Sequence, residues 1–216
     1  MRVAITQRVE VVASYGERRD CLDQAWTGLL AQAGCDLLPV PNSLPNVRQW
    51  LAKQNIEALL LTGGNDLSHL PDASNPAPER DATEQHLLQW AAEHRLPVLG
   101  VCRGMQMLNH YLAGGLSPAP NHVAIKHAIT AVEGEELCSA FSSVNSFHSW
   151  GIQAKELSPS LHALAVADDG TIEALRHTEL PWVGIMWHPE RDNGLEKSND
   201  IALIRNIFFE MSKGLK

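Results

Sequence analysis

Pro97-Val98-Leu99-Gly100-Val101-Cys102-Arg103-Gly104 is the stretch on which the fold turns. It runs continuously apolar to Val101, as a strand buried on both faces of a sheet does, and then breaks into G-x-C-x-G. From Met105 to Leu112 the pattern becomes helical and stops at Gly114-Gly115. A strand feeding directly into a helix through so tight a turn brings the residues two before and two after its tip almost into contact. Only residues without a Cβ fit there, and Gly100 and Gly104 occupy both places. The turn lifts the Cys102 thiol out of the sheet and sets it at a helix N-terminus, where dipole and free N–H groups favour thiolate over thiol.

Outward from this elbow the same alternation repeats. Val3 to Thr6 reads as a strand. Leu22, Ala25, Trp26, Leu29, Leu30 and Ala33 recur at helical spacing and end at Gly34, a C-terminal left-handed position. Asp36–Val40 reads as a second strand, 47–54 as a helix, and 58–62 as a third strand running into Gly63-Gly64. Residues 65–80, with Pro71, Pro76 and Pro78, form a loop long enough to suggest a function. Asp81 and Glu84 suggest a cap for a helix ending near His94-Arg95. Strands are expected at 171–176 and 182–187. A last helix carries Ile201, Ile204, Ile207, Phe208 and Met211 on one face. Alternating strands and helices predict a parallel sheet covered on both faces.

The whole chain of 216 residues carries 17 Lys and Arg against 25 Asp and Glu, a formal charge of −8. A field of that sign repels a polyanionic backbone, so nucleic acid is not the expected partner. No apolar window approaches the roughly 18 residues of a membrane span, and no membrane partner is expected. The N-terminus shows no basic region followed by a long apolar run, and the four cysteines form no C-x-x-C pair. A cytoplasmic setting fits this pattern. Oligomeric state is open, and a homo-oligomer is compatible with the sequence.

A cysteine nucleophile needs a base and a group to orient it. Gly184-Ile185-Met186-Trp187-His188-Pro189-Glu190 offers both, with the strand expected to end in His188. Side chains at i and i+2 of an extended backbone share a side, so Glu190 is expected to accept from His188 while the other ring nitrogen faces Cys102. For the oxyanion the candidates are the N–H of Arg103, beside the nucleophile, and that of Gly64, with Gly63 one register away.

Leu61-Thr62-Gly63-Gly64-Asn65-Asp66, Gly100 to Gly104 with Gln106, Val144-Asn145-Ser146-Phe147-His148 and Gly184 to Glu190 together resemble the class I glutamine amidotransferase superfamily, in its stand-alone γ-glutamyl hydrolase branch. The resemblance runs from residue 3 to residue 190. It implies a flavodoxin-like three-layer α/β sandwich with a central, mostly parallel sheet, spanning 1–216 as a single catalytic domain. It further implies a small-molecule γ-glutamyl amide as substrate, attack by Cys102, a thioester intermediate and no cofactor. Gln106 would hold the glutamyl group, and the segment 145–150, with Phe147, Ser149 and Trp150, would line the opposite side.

A further set, Ile5-Thr6-Gln7-Arg8, Ser14-Tyr15, Pro120-Asn121-His122, Asp169 to Ala174 and Met186 to Arg191, is similar to hydrolases of γ-glutamyl nucleotide amidates in bacterial capsular phosphoramidate synthesis. Arg8, just past a strand end where ligands of doubly wound sheets gather, could pair with a pyrophosphate. Asn121, His122, Lys126 and His127 lie in the excursion after the elbow helix and could assist. His122 and His127 also invite a metal reading. Neither is accompanied by a thiolate pair or a carboxylate at ligand spacing, so no metal is expected. The rival readings are hydrolysis of another γ-glutamyl amine, a glutaminase subunit feeding a synthetase, and a binding module with a vestigial site.

Overall fold

A computed structural model describes residues 1–192 and 194–211. Its centre is a nine-stranded sheet. In chain order the strands are β1 (Arg2–Thr6), β2 (Asp36–Val40), β3 (Ala58–Leu61), β4 (Val98–Val101), β5 (Val123–Ala131), β6 (Ser143–Phe147), β7 (Leu161–Ala167), β8 (Ile172–His177) and β9 (Trp182–Ile185). Across the sheet the order is β2-β1-β3-β4-β9-β8-β7-β5-β6. The five strands from β2 to β9 are parallel, in the order of a flavodoxin-like fold. From β9 onward every pairing is antiparallel.

The helices are α1 (Ala25–Ala33), α2 (Val47–Leu51), α3 (Pro78–His94), α4 (Arg103–Tyr111) and α5 (Gly194–Arg205). Successive residues of a strand point to opposite faces, and β1 illustrates the sorting. Val3 and Ile5 join Trp26, Leu29 and Leu30 of α1 and Ile204 of α5. Ala4 joins Leu87 and Leu88 of α3 and Leu108 of α4. Strands β3, β4 and β9 are buried at every position, so the central strands are covered on both faces.

The parallel half matches the expected elements closely. Gly34 takes φ 84°, and the N–H groups of Gly34 and Cys35 return to Ala31 and Leu30. The last helix keeps Ile204, Ile207 and Phe208 buried, with Ile201 and Met211 packed beside them, although its final turn, Asn206–Glu210, widens into a π-helix. One expectation is corrected. Helix α3 begins at Pro78, so Asp81 lies inside its first turn and does not cap it. The antiparallel strands β5, β6 and β7 were not expected as such. Strand β5 exposes most of its residues and therefore carries no clean apolar alternation to read.

Candidate active site

At the end of β4 the chain makes the expected elbow. Cys102 has φ 52° and ψ −106°, a conformation hard for any residue with a side chain. A Cβ on Gly100 would stand 2.6 Å from the Gly104 carbonyl oxygen, and one on Gly104 would stand 2.2 Å from that of Leu61. Two small residues let α4 start directly against β3. The Arg103 and Gly104 N–H groups, in the first turn of α4, have no partner within the helix, which favours negative charge on the sulfur.

His188 follows β9 and reaches Cys102 from the adjacent strand end. Its Nδ1 lies 2.8 Å from Glu190 Oε1, with both side chains buried. That leaves Nε2 for the hydrogen bond between this ring and Cys102. Burial pulls the His188 pKa down, but the charge and hydrogen bond of Cys102, then those of Glu190, outweigh it and raise the pKa from 6.5 to about 9. The arrangement therefore keeps His188 as an imidazolium at neutral pH. The expected geometry needs one correction. The strand stops at Ile185, and Glu190 reaches His188 through the 3-10 turn Pro189–Arg191 rather than through strand alternation. Asn145 on β6 clamps this turn: its Oδ1 accepts from His188 N at 2.9 Å and its Nδ2 donates to His188 O at 2.9 Å.

Gly63 and Gly64 lie beside this pair. A Cβ on Gly63 would stand 2.7 Å from His188 Cε1, so the loop passes against the imidazole with no room to spare. Gly64 has φ 82°, which a side chain disfavours. The loop is held from below by Arg80, fully buried on α3. Its guanidinium donates to the carbonyl oxygens of Thr62 at 2.6 Å and of Gly63 and Gly64 at 3.0 Å each, and to Asn65 Oδ1 at 3.2 Å. Glu84 Oε1 accepts from Arg80 Nε at 2.9 Å, while Arg103 bridges Glu84 and Asp81. Burial, then the neighbouring Arg103, lowers Arg80 to about 10 despite the two carboxylates. This network escaped sequence reading, which took Glu84 for a capping residue. The i, i+4 spacing of Arg80 and Glu84 was its only signal.

Two hollows flank the loop. One is lined by Gly64, Cys102, Arg103, Gln106 and the segment Phe147 to Trp150, with Asp66, Ser74 and Asn75 of the long loop on its rim. Here the expected lining is assembled. Gln106 is buried and donates from Nε2 to Trp150 O at 2.9 Å. Phe147, 41% exposed, meets the His188 ring edge-on at 5.7 Å. The other hollow contains Arg8, Gly63, Gly64, His188, Glu190 and Arg191. Arg8 pairs with Glu10, and Arg191 lies 4.5 Å over the Phe147 ring. Arg191 was quoted for the resemblance but not picked as a site residue; its place in the turn after His188 was the available signal.

His122 does not join them. It lines neither hollow, being buried with Nε2 2.9 Å from Asp169 Oδ2, so its expected substrate contact is corrected.

Residues 3–190 match the Peptidase C26 family. The chain belongs to this family. It is 37% identical to the γ-glutamyl-CDP-amidate hydrolase of Campylobacter jejuni subsp. jejuni serotype O:2, over 96% of this chain and 98% of that protein. It is 29% identical to the γ-glutamyl-γ-aminobutyrate hydrolase of Escherichia coli O157:H7, over 89% of this chain and 85% of the other. Among solved structures, a glutamine amidotransferase from Thermotoga maritima superposes with a TM-score of 0.68 over 98% of both chains at 16% identity, a likeness of fold.

Proposed function

We propose that this Peptidase C26 protein is a γ-glutamyl amide hydrolase with Cys102, His188 and Glu190 as its catalytic triad. The observation that carries the reading is the chain of contacts from a strained, helix-seated thiol through His188 to Glu190 at 2.8 Å. The Cys102 thiolate attacks the γ-carbonyl carbon, and the N–H groups of Gly64 and Arg103 receive the developing oxyanion. As the tetrahedral species collapses, His188 gives its proton to the leaving nitrogen and a γ-glutamyl thioester remains. Neutral His188 then takes a proton from water, whose oxygen attacks the thioester. Glutamate leaves and Cys102 returns as thiolate. Glu190 holds the ring and stabilises its charged form. Gln106 and the 147–150 wall hold the glutamyl portion.

The preferred substrate is γ-glutamyl-CDP-amidate, yielding glutamate and cytidine diphosphoramidate. Two features support it. The chain is similar over almost its full length to a protein bearing that activity in its name, and Arg8 and Arg191 share the hollow beyond His188, where a diphosphate would meet two guanidinium groups. The likeness to γ-glutamyl-γ-aminobutyrate hydrolase makes that amide the competing substrate. Steady-state kinetics on these two amides and on glutamine test the choice. A kcat/KM for the nucleotide amidate at least about tenfold above the others is expected, from about 1.4 kcal/mol of added transition-state binding. Equal values would overturn the nucleotide preference while leaving the hydrolase standing. Cys102→Ala is expected to abolish turnover of every substrate, and an unaltered rate would overturn the mechanism.

A further inference from the structure

Behind the 147–150 wall, four residues distant in sequence converge. His122 precedes β5, His127 lies on it, His148 follows β6 and Glu173 stands on β8. One potential ligand atom from each lies within 4.8 Å of all the others. Glu173 Oε1 is 3.6 Å from His122 Nδ1, 3.7 Å from His127 Nε2 and 3.5 Å from His148 Nε2. The expectation of no metal rested on the lack of a carboxylate near His122 and His127 in sequence. The fold supplies that carboxylate from β8 and a third imidazole from β6.

The second nitrogen of each ring is held from outside. His122 Nε2 meets Asp169 Oδ2 at 2.9 Å, His127 Nδ1 meets Ala128 O at 3.0 Å, and His148 Nδ1 meets Trp150 O at 3.0 Å. An oxygen that can only accept fixes the ring proton on that outer nitrogen and leaves a lone pair on the inner one. Three inward lone pairs and a carboxylate thus face one another, four acceptors without a donor. Among the described residues, His122 Nδ1, His127 Nε2, His148 Nε2 and both oxygens of Glu173 have no hydrogen-bond partner. Glu173 is wholly buried, where an uncompensated carboxylate is strongly unfavourable.

We propose that His122, His127, His148 and Glu173 form a closed, four-coordinate site for Zn²⁺ that braces the wall of the cleft. Tetrahedral zinc bonds of about 2.0–2.1 Å place ligand atoms about 3.3–3.4 Å apart, so the three distances to Glu173 need to contract by a few tenths of an ångström, and the widest separation in the cluster, within 4.8 Å, by up to about 1.4 Å. Three imidazoles and one carboxylate suit zinc rather than the oxygen-seeking Mg²⁺ or Ca²⁺. Protein groups fill all four positions, which marks a structural rather than a reactive ion. Its reach to the cleft is short: His148 fixes the carbonyl of Trp150, and Gln106 bonds that same carbonyl.

The test is metal content. The full chain, equilibrated with buffered micromolar Zn²⁺ and desalted, is measured by elemental mass spectrometry, and Co²⁺ loading is followed by its visible absorption. About one ion per chain and an intense tetrahedral cobalt spectrum are expected. Cys102→Ala should keep the ion, which separates this site from a cation held by the thiol and His188. Glu173→Gln and His127→Ala should weaken binding at least about tenfold. The rival, a proton shared within the cluster, predicts no ion. A folded wild-type chain that retains under about a tenth of an ion overturns the proposal without recourse to any variant. Equal metal content in wild type and both variants also overturns it.

Discussion

Two buried polar clusters flank Cys102, and they solve the problem of burial differently. Under the Gly63-Gly64 loop, Arg80, Glu84, Arg103 and Asp81 neutralise one another, and Arg80 spends its remaining donors on the loop's carbonyl oxygens. Behind the opposite wall, His122, His127, His148 and Glu173 present only acceptors to one another. The first cluster balances its charges from protein alone and leaves, of its side-chain polar atoms, Arg103 Nε without a partner among the described residues; the second is completed by something positively charged. Both act on the cleft through a carbonyl oxygen, Thr62 to Gly64 on one side and Trp150 on the other. The first holds the backbone of the Gly63-Gly64 loop and the second that of Trp150.

The largest expected effect comes from opening the first cluster. Arg80→Ala would leave Glu84 with one cationic partner fewer and three loop carbonyls without their donor. Breaking a buried pair costs about 3–5 kcal/mol, a fall of roughly 6–20 °C in Tm for a domain of this size. Thermal unfolding would read it. Replacing both partners, Arg80→Met with Glu84→Leu, should cost less than the sum of the single changes, since neither leaves a charge alone. A strictly additive result would mean that the network does not act as a unit.

Next in size is the His188–Glu190 contact, in which a buried carboxylate is partnered by a base that titrates. The raised pKa of His188 stabilises the fold fully below 6.5, and that contribution is lost as pH rises through about 9. The alkaline limb of kcat/KM is accordingly expected near 9, where the acid that protonates the leaving nitrogen disappears. Glu190→Gln removes one of the influences raising this pKa, so the limb should move to lower pH with a smaller loss of rate than in Cys102→Ala. A limb that stays in place would show that Glu190 orients the ring without affecting its charge.

Legibility followed the same divide between local and assembled features. The elbow could be read because its requirement, two missing Cβ atoms around a strand-to-helix turn, is written within five consecutive residues, Gly100 to Gly104. The central parallel strands could be read because burial on both faces makes them continuously apolar. Strand β5 could not, since its burial pattern gives almost no inward-facing apolar series. The zinc-like cluster was illegible for a related reason: residues 122, 127, 148 and 173 meet only because β5, β6 and β8 are brought to one place. Spacing rules describe ligands that share a loop or a helix, and these share none. The expected contact between Glu190 and His188 is present at 2.8 Å, although the turn that joins them differs from the one expected.

Asp200 sharpens the comparison by offering a third solution. Its Oδ1 accepts from Trp187 Nε1 at 3.0 Å, while Oδ2 has no partner among the described residues. Among the described residues no guanidinium or imidazole is paired with it, and burial, then the neighbouring Asp192 and Glu190 carboxylates, raise its pKa from 3.8 to about 7, so at mildly acid pH it meets the deficit by keeping its own proton. A carboxyl with a raised folded pKa destabilises the native state progressively as pH climbs from about 4 to 7, because the unfolded chain ionises first. Asp200→Asn preserves an acceptor for Trp187 and has no charge to bury. It should leave Tm unchanged at pH 4 and raise it by a few degrees at pH 8, the smallest of these effects and opposite in sign to that of Arg80→Ala. Equal Tm differences at the two pH values would mean that Asp200 is already ionised in the fold, compensated by a partner as Glu84 is.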